Sequence, residues 1–568
     1  MDILIIILQI IVLLGAIFIG IRLGGIAIGY AGGLGVVILG LVLGMKPGNI
    51  PWDVILIIAA AIAAISAMQQ AGGLDYMVRV TEKILRSNPK FINYLAPACG
   101  WLLTILAGTG NAVFSLMPVV VDVAKSQNIK PSVPLSLMVV SSQIGITASP
   151  VSAAVVYMSG VLEPFGWSYP TLIGIWIVTT FSACMITAFI VSLITPMDLS
   201  KDVVYQERLK AGLVKDAGAI LQGKDKPGAK LSVAIFLATV FCVVFYATTI
   251  SDVVRKPMVD YTNSKIYPAY DQIIESKKAL LGNLGENNLS KNINTQFATI
   301  EKVLVSDANS SVFNQTINES QKSILSTLDN SDLIKELNQA GFNTQNFKTN
   351  LNEEFSKLVN LSPLKNEGVA FFEMMRSYID PVKVSRDQAI MGFLLAAAAL
   401  ITWFCKVEPA KILDTSVFKS GMTACVCVFG VAWLGNTFVA GHENAIKEVA
   451  REWVTQIPAM LAVAFFFASM LLYSQAATAK AIVPVIVIAL GISTTDPHNS
   501  YMLVACFAAV SALFVLPTYP TLLGAVQMDD TGTTRIGKFI FNHSFFIPGV
   551  LAIAISVALG FVIAPMLI

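Results

Sequence analysis

The stretch LTILAGTGNAVFSLMPVVVDVA, residues 103–124, decides how this chain folds. It is apolar enough for a membrane, yet Gly108-Thr109-Gly110-Asn111 interrupts it. A helix of about 20 residues already crosses the hydrocarbon core. The full apolar run, 92–123, is longer and broken in the middle, so one crossing helix is the wrong shape. A re-entrant hairpin fits, because irregular backbone is tolerated at membrane depth where protein or a watery cavity surrounds it. The run 458–490 repeats the pattern around Ser474-Gln475-Ala476-Ala477-Thr478. Aligned on Pro118 and Pro484, the two tips match without a gap, Asn111 opposite Ala477.

Outward from these runs, hydropathy predicts spans near 3–21, 24–44, 52–70, 134–163, 169–194, 231–250, 388–405, 421–440, 500–527 and 543–567. Two of them, 134–163 and 500–527, carry Pro beside Ser or Thr at mid-span and are predicted to be discontinuous crossing helices. Loop cations set the orientation. With the N-terminus outside, the inside loops hold Arg22, then Arg79, Lys83, Arg86 and Lys90, then Lys125 and Lys130. The connector 195–230, Lys406, Lys411, Lys419, Arg535 and Lys538 follow on the same side. Outside loops 45–51, 164–168 and 491–499 carry only Lys46, with Lys447 and Arg451 the exception elsewhere. That is the positive-inside pattern.

On this orientation each half reads three crossings, a hairpin, a broken crossing and a full crossing. The net number is odd, so the second copy is inverted, as in secondary transporters. The fold expected is an all-α polytopic membrane protein with two re-entrant hairpins and two discontinuous helices. Its segments are a first repeat 1–194, a cytoplasmic connector 195–230, the first helix of the second repeat 231–250, an insert 251–385, and the remainder 386–568. The insert is polar and Asn-rich, with apolar residues at helical spacing and turns such as LGNLGENN (281–288). It reads as an extramembrane helical domain on the outside, periplasmic in a Gram-negative cell. A plain cap, a docking or oligomerisation surface for a sensor or periplasmic partner, and a partly disordered segment all remain open.

Composition narrows the function. Of 568 residues, 55% are hydrophobic and 13% charged, about half the roughly 25% usual in soluble domains. Lys+Arg 38 against Asp+Glu 36 leaves no broad basic surface for nucleic acid. The seven cysteines lie in or beside apolar runs, so no disulfide framework is expected, and Cys425 and Cys427 read as packing residues. His442, His498 and His543 are too scattered for a metal site, and no cofactor is expected. There is no Walker A pattern, G-x-S-x-G or H-E-x-x-H, and no paired intramembrane Asp, which points away from an enzyme or an ATP-driven pump. The N-terminus, Met1-Asp2 and then apolar, reads as the first span and not a signal peptide.

Four patches carry the chemistry: 108–111, 147–152, 474–478 and 516–521. Ser149 followed by Pro150 reads as an N-cap with Pro at the first helical position. Asn111, Ser474 and Thr518 can cap similarly. A helix that starts at mid-membrane points free N–H groups and a partial positive charge at its neighbour. Four such starts would form an anion site from dipoles and hydroxyls, suited to a carboxylate. One patch alone would be read as close helix packing; four placed symmetrically favour a site. Lys480 is either a substrate counter-charge, a fixed cation in place of a coupling ion, or a snorkelling side chain. Asp529, Asp530 and Arg535 read as loop charges, and His543 as an interfacial hydrogen-bonding group in preference to a proton relay.

These patches also carry a resemblance. GGIAIGYAGGLGVVILG (24–40), GGLDYMVRVTEKILRSNPK (72–90), QIGITASPVSAAVV (143–156), VFKSGMTACVCVFGVAWLGNT (417–437), SQAATAKAIVPV (474–485), LPTYPTLLGAVQMDDTGTTRIGKF (516–539) and NHSFFIPG (542–549), with 103–124, resemble the anaerobic C4-dicarboxylate transporters of the DcuA/DcuB family. That family lies in the ion-transporter superfamily of elevator carriers, and the resemblance covers about three quarters of the chain. It implies exchange of fumarate, malate, aspartate and succinate across the bacterial inner membrane, and a homodimer. It also implies a transport domain of hairpins and broken helices sliding on a scaffold. The implied binding residues are Thr109, Gly110, Asn111, Ser149, Pro150, Ser152, Ser474, Gln475 and Thr518. Members of this kind can pair with sensor kinases. A carrier of another organic anion on the same fold is the alternative. The insert 251–385 is longer than the connection expected there, and Lys480 stands where small apolar residues are usual.

Overall fold

A computed structural model describes residues 3–23, 26–50, 52–214, 226–282, 284, 287–306, 309–328, 342–442, 457–493, 497–517, 519–537 and 541–567. Among them the chain is helical, with two isolated β-bridges and no longer strand pairing. It divides into two compact units, Met1–Thr248 with Ser385–Ile568, and Thr249–Val384.

The first unit is apolar. Its helices run α1 (Ile3–Leu23), α2 (Ala27–Val37), α3 (Trp52–Gln70), α4 (Gly73–Ser87), α5 (Ile92–Ala107), α6 (Met117–Ser126), α7 (Ser132–Gly145), α8 (Ala153–Leu162), α9 (Tyr169–Ile194), α10 (Val203–Lys210) and α11 (Ala229–Thr249). Among the described residues of the second unit there are six helices, α12 (Asp252–Ile266), α13 (Ala269–Leu281), α14 (Asn288–Val305), α15 (Ser310–Thr327), α16 (Thr344–Val359) and α17 (Ala370–Ile379). The chain then returns as α18 (Arg386–Phe404), α19 (Ser416–Cys427), α20 (Trp433–Gly441), α21 (Met460–Leu472), α22 (Gln475–Ala489), α23 (Tyr501–Cys506), α24 (Pro520–Met528) and α25 (Phe546–Ile563).

Seven helical stretches among the described residues are long and apolar enough to cross a membrane, including 132–165, 416–441 and 546–566. The protein is a polytopic membrane protein. The span predicted at 52–70 does not end in a plain loop: α3 turns by 74° into α4. Gly72 at φ +86 makes the corner, a conformation that side chains disfavour. Leu74, Val78 and Leu85 then bury one stripe of α4 at helical spacing, while Arg79, Lys83 and Arg86 serve its other sides. Only those cations had been visible in the loop reading.

Packing within this unit is reciprocal between the halves. α2 lies against the wide turn 428–432 that joins α19 to α20, and α3 lies against α18. α5 packs on α7, as α21 packs on the tight helical segment Phe507–Phe514. α22 meets α8, as α24 meets α6 and the turn Gly110–Ser115, while α9 and α25 face each other. At the first of these crossings the backbones touch. A Cβ on Gly430 would run into the carbonyl of Gly29, and one on Gly32 into Gly430 itself. Small residues that admit this approach are the packing currency of membrane helices, where lipid is as apolar as the protein.

Ion pairs tie the ends of these helices together. Asp122 takes Arg86 at 2.6 Å, and Lys125 reaches Asp530 at 2.9 Å. Arg208 of α10 donates to the Asp530 carbonyl at 2.9 Å, and Lys130 pairs with Asp202 at 3.0 Å. Asp529, also buried, accepts hydrogen bonds from Thr531, Thr533 and the Thr534 N–H. Asp122, Asp202 and Asp530 are therefore junctions between distant segments, so Asp530 is more than the loop charge the sequence indicates, whereas Asp529 orders its own loop through Thr531, Thr533 and Thr534. Arg386, at the start of α18, is buried with Glu163 at 2.7 Å, Ser159 at 3.0 Å and the Tyr169 ring at 5.0 Å.

In the second unit α13, α14, α15 and α16 each pack on two neighbours in cyclic order, a four-helix bundle. Ile293, Phe297, Ile300, Phe313, Ile317, Leu351 and Phe355 fill its centre, each at most 1% exposed. The Asn-rich turns have a cause: Asn287, Asn309 and Asn343 are the N-caps of α14, α15 and α16, accepting N–H groups at 2.8–3.1 Å. α12 and α17 pair with each other beside the bundle. Asn366 donates its N–H to the Ile266 carbonyl at 2.9 Å and its side-chain amide to Lys265 at 2.8 Å, so the chain enters and leaves the bundle at one point.

Candidate functional site

Both long apolar runs break where small polar residues interrupt them. α5 ends at Gly108, φ +69, and α21 ends at Tyr473, φ +53. Past these breaks the halves differ. Ser474 caps α22 at once, accepting the Ala477 N–H at 3.2 Å. In the first half Gly110–Ser115 winds as a tighter turn and α6 begins only at Met117, beside Pro118.

The broken crossings differ from the sequence reading in one respect. Ser149 is not the N-cap of α8. Its hydroxyl donates across to the Ile105 carbonyl of α5 at 2.6 Å, and residues 149–152 form a turn closed by the Ser152 N–H on the Ser149 carbonyl. The helix starts three residues later, with Ser152 as N-cap, accepting from the Val155 N–H at 3.3 Å and donating to Ile146 at 2.8 Å. A tertiary acceptor thus outcompetes the local cap. Proline at the first helical position occurs instead at Pro520, which opens α24 after an extended Tyr519. Thr518 lies outside the described residues, as does the side chain of Asn111.

These pieces converge. A cavity of about 420 Å³ is lined on one side by Gly108 and Thr109, by Ser152, Ala153 and Ala154, by Tyr473, Ser474, Gln475 and Ala476, and by Tyr519 and Pro520. The α8 and α22 contributions are the cap and first two residues of each helix, those of α24 are its cap, first residue and Leu523, and Ile146 and Val151 also line the cavity. The first N–H groups of a helix have no partner within it and carry the positive end of its dipole. Three helix starts, not four, face this space, because the late start of α6 keeps it out. The other side is formed by Ile57, Ile58, Ala61, Ile62 and Ile65 of α3, with Ile28, Gly421, Cys427 and Val428. Val417 and Thr423 complete it, and Thr423 contributes its one hydroxyl. None of the lining residues is Lys, Arg, His, Asp or Glu.

Of the residues expected from sequence, Thr109, Ser152, Ser474 and Gln475 line the cavity. Gly110, Ser149 and Pro150 stand behind it: Gly110 and Ser149 are buried, and the Pro150 carbonyl accepts the Tyr169 hydroxyl at 2.9 Å. Lys480 is half-buried on α22 with its ammonium 5.3 Å from the Tyr157 ring, and it is not among the lining residues. His543 accepts the Phe545 N–H on Nδ1, so Nε2 carries the proton toward the Val515 carbonyl at 3.2 Å, beside the break in the second crossing.

Sequence reasoning missed four participants. Gln143 is fully buried; its backbone carbonyl accepts the Gln475 side-chain amide at 2.9 Å and its own side-chain amide donates to Thr521 at 3.3 Å, joining a lining residue to the first turn of α24. Tyr473 and Tyr519 stack at 6.2 Å, one from each broken element of the second half. Ser469 likewise bridges α21 to the other break, donating to Ala509 and accepting from the Ala512 N–H. A Gln or Ser inside an apolar run was the available signal.

Comparison with known proteins gives the family. Residues 5–284 and 355–568 match the family described as anaerobic C4-dicarboxylate membrane transporters, DcuA/DcuB. The C4-dicarboxylate transporter DcuA of Wolinella succinogenes is 49% identical over 560 residues, covering 99% of each chain. DcuA of Escherichia coli K12 is 43% identical over 555 residues, and the anaerobic C4-dicarboxylate transporter DcuB of Escherichia coli O6:H1 is 30% identical over 568, each covering 98% of both chains. The match to the family omits residues 285–354, which fall within the bundle. By the extent of both matches, this chain belongs to the anaerobic C4-dicarboxylate membrane transporter family.

Proposed function

We propose that this protein is a secondary carrier that exchanges C4-dicarboxylates such as fumarate, malate, aspartate and succinate across the bacterial inner membrane. The observation that carries this is the cavity wall of three helix starts with hydroxyls and an amide, and no charged side chain. Such a wall neutralises a dianion by many partial charges, each aimed by the backbone. A fixed Arg or Lys would hold the anion more tightly; dipoles and hydroxyls allow it to leave, which a carrier needs as much as binding.

The reciprocal packing of the two halves supports an inverted repeat. The contrast between the cavity's walls supports an elevator movement: the hairpins, broken crossings, α9 and α25 carry the polar wall past an apolar one. Apart from the Thr423 hydroxyl and the Cys427 thiol, a surface of Ile, Val, Ala and Gly makes no directional bonds to break during sliding. In this reading Thr109, Ser152, Ser474 and Gln475 touch substrate, joined by Asn111 and Thr518. Gly110, Ser149 and Pro150 shape the loops that present them. The termini and segment 251–385 face the periplasm, the connector faces the cytoplasm, and the working unit is a homodimer.

The test uses purified protein in liposomes preloaded with unlabelled succinate, with entry of labelled fumarate as readout. Entry that requires internal succinate and is indifferent to a sodium gradient supports exchange. Entry into empty vesicles driven by a proton or sodium gradient would make the protein a symporter. Competition by citrate or an inorganic anion, but not by malate or aspartate, would overturn the substrate class.

A further inference from the structure

The second unit exposes one continuous apolar face that its own packing leaves uncovered. On α17, Phe371 is 60% exposed, Met374 51% and Tyr378 71%. They are spaced as one stripe of a helix, and Val382, 38% exposed, follows beyond the helix end. Tyr261 of α12, 54% exposed, lies edge-on to Phe372 of α17 at 6.2 Å and widens the face. Cations flank it, Lys265 beside the Tyr261 ring at 5.4 Å and Lys383 beside the Tyr378 ring at 5.5 Å. Among the described residues of α13–α16, Val312 and Val359 are the large exposed apolar residues, with Leu364 beyond the end of α16.

Chain length restricts where this face can be. Only residues 250–251 separate the spanning helix α11 from α12, a reach of about 10 Å when extended. Arg255 in the first turn of α12 holds Asp380, at the end of α17, at 2.9 Å. The C-terminal end of α17 is thereby fixed near the start of α12 and cannot stray far from the end of a membrane span. Headgroups occupy roughly 5–8 Å outside each face of the hydrocarbon core. Aromatic rings with Lys at their edges are what that zone favours, the rings in the acyl boundary and the ammonium groups among phosphates.

We infer that α17, with Tyr261 of α12, lies flat in the phospholipid headgroup layer on the side of the membrane that carries the insert. The bundle is then held by an interfacial anchor as well as by its two connections to the chain.

Full-length protein carrying Phe371→p-benzoylphenylalanine or Tyr378→p-benzoylphenylalanine tests this, since the photoreactive ring resembles the residue it replaces. Each is reconstituted in phosphatidylethanolamine–phosphatidylglycerol liposomes and irradiated. The expected result is a mass increase of one phospholipid at both positions, and none for Val312→p-benzoylphenylalanine on the bundle. Lipid adducts at Tyr378 alone would mean that α17 stands upright and overturn the flat seating. Adducts to a second copy, to another part of the same chain, or to nothing would overturn the lipid assignment.

Discussion

Ser149 and Ser474 occupy corresponding kinds of break but answer to different partners. Ser474 keeps its hydroxyl at the cavity as the cap of α22, while Ser149 spends its hydroxyl on the Ile105 carbonyl in a fully buried position. Ser149→Ala should strand a buried carbonyl and destabilise the fold by about 1–3 kcal/mol. Ser474→Ala should destabilise by about 1 kcal/mol through loss of the cap. Exchange by the folded protein should drop at least about tenfold for Ser474→Ala, a loss of about 1.4 kcal/mol of interaction, and little for Ser149→Ala. Thermal midpoints in detergent and liposome exchange rates measured on the same preparations check this; the reverse ranking would remove Ser474 from the site. At this scale the sequence was legible by residue type but not by partner. Ser149-Pro150 has the local form of a cap, and only the proximity of α5, 44 positions earlier, redirects it. Gln143 and Arg386 were invisible as bridges for the same reason, because Thr521 and Glu163 are 378 and 223 positions away.

Among the elements, the breaks in the long apolar runs and in the Pro-containing crossings were readable because apolar runs too long for one span, with Gly, Ser and Pro inside, leave few shapes open. The corner at Gly72 and the docking of α10 were not, since both depend on surfaces supplied by other segments. α10 offers a test at its own scale. Burial works against ionisation of Asp202, but the Lys130 ammonium and the N–H groups of Tyr205 and Val204 together hold its carboxyl below the ordinary aspartate range. A carboxyl depressed on folding contributes stability above its unfolded pKa and loses it as pH falls through the folded one. The connector should therefore remain docked at neutral pH and loosen below about pH 4, where a free aspartate protonates. Hydrogen exchange of residues 199–210, corrected for its intrinsic pH dependence, should show protection falling over that range. Asp202→Asn should start lower and change less; an unchanged profile in that variant would assign the transition to another group, the neighbouring Asp198 first.

Over the whole molecule, two kinds of order coexist: an apolar unit organised in reciprocal halves, and a polar bundle that closes on its own core. The division was legible in composition, from the charged, Asn-rich stretch between apolar runs. The cyclic order of its helices was not, because amphipathic stripes state which face is buried and not which neighbour buries it. Because Ile266 and Asn366 are joined by a hydrogen bond, residues 267–365 should be replaceable by a few Gly and Ser residues. The shortened protein should reach the membrane and keep its exchange rate within about twofold, since a short link of that kind relaxes to any nearby pair of ends. Loss of exchange with normal insertion would instead make the bundle part of the transport cycle.

The same closure makes the protein a socket. Many compact domains have their own termini close together, and any of them can be plugged between Ile266 and Asn366 without stretching α12 away from α17. A fluorescent domain whose brightness follows acidity, placed there in living cells and watched while the outer medium is acidified, would reveal which compartment this side of the membrane faces. The carrier would then report its own orientation without being purified or broken open.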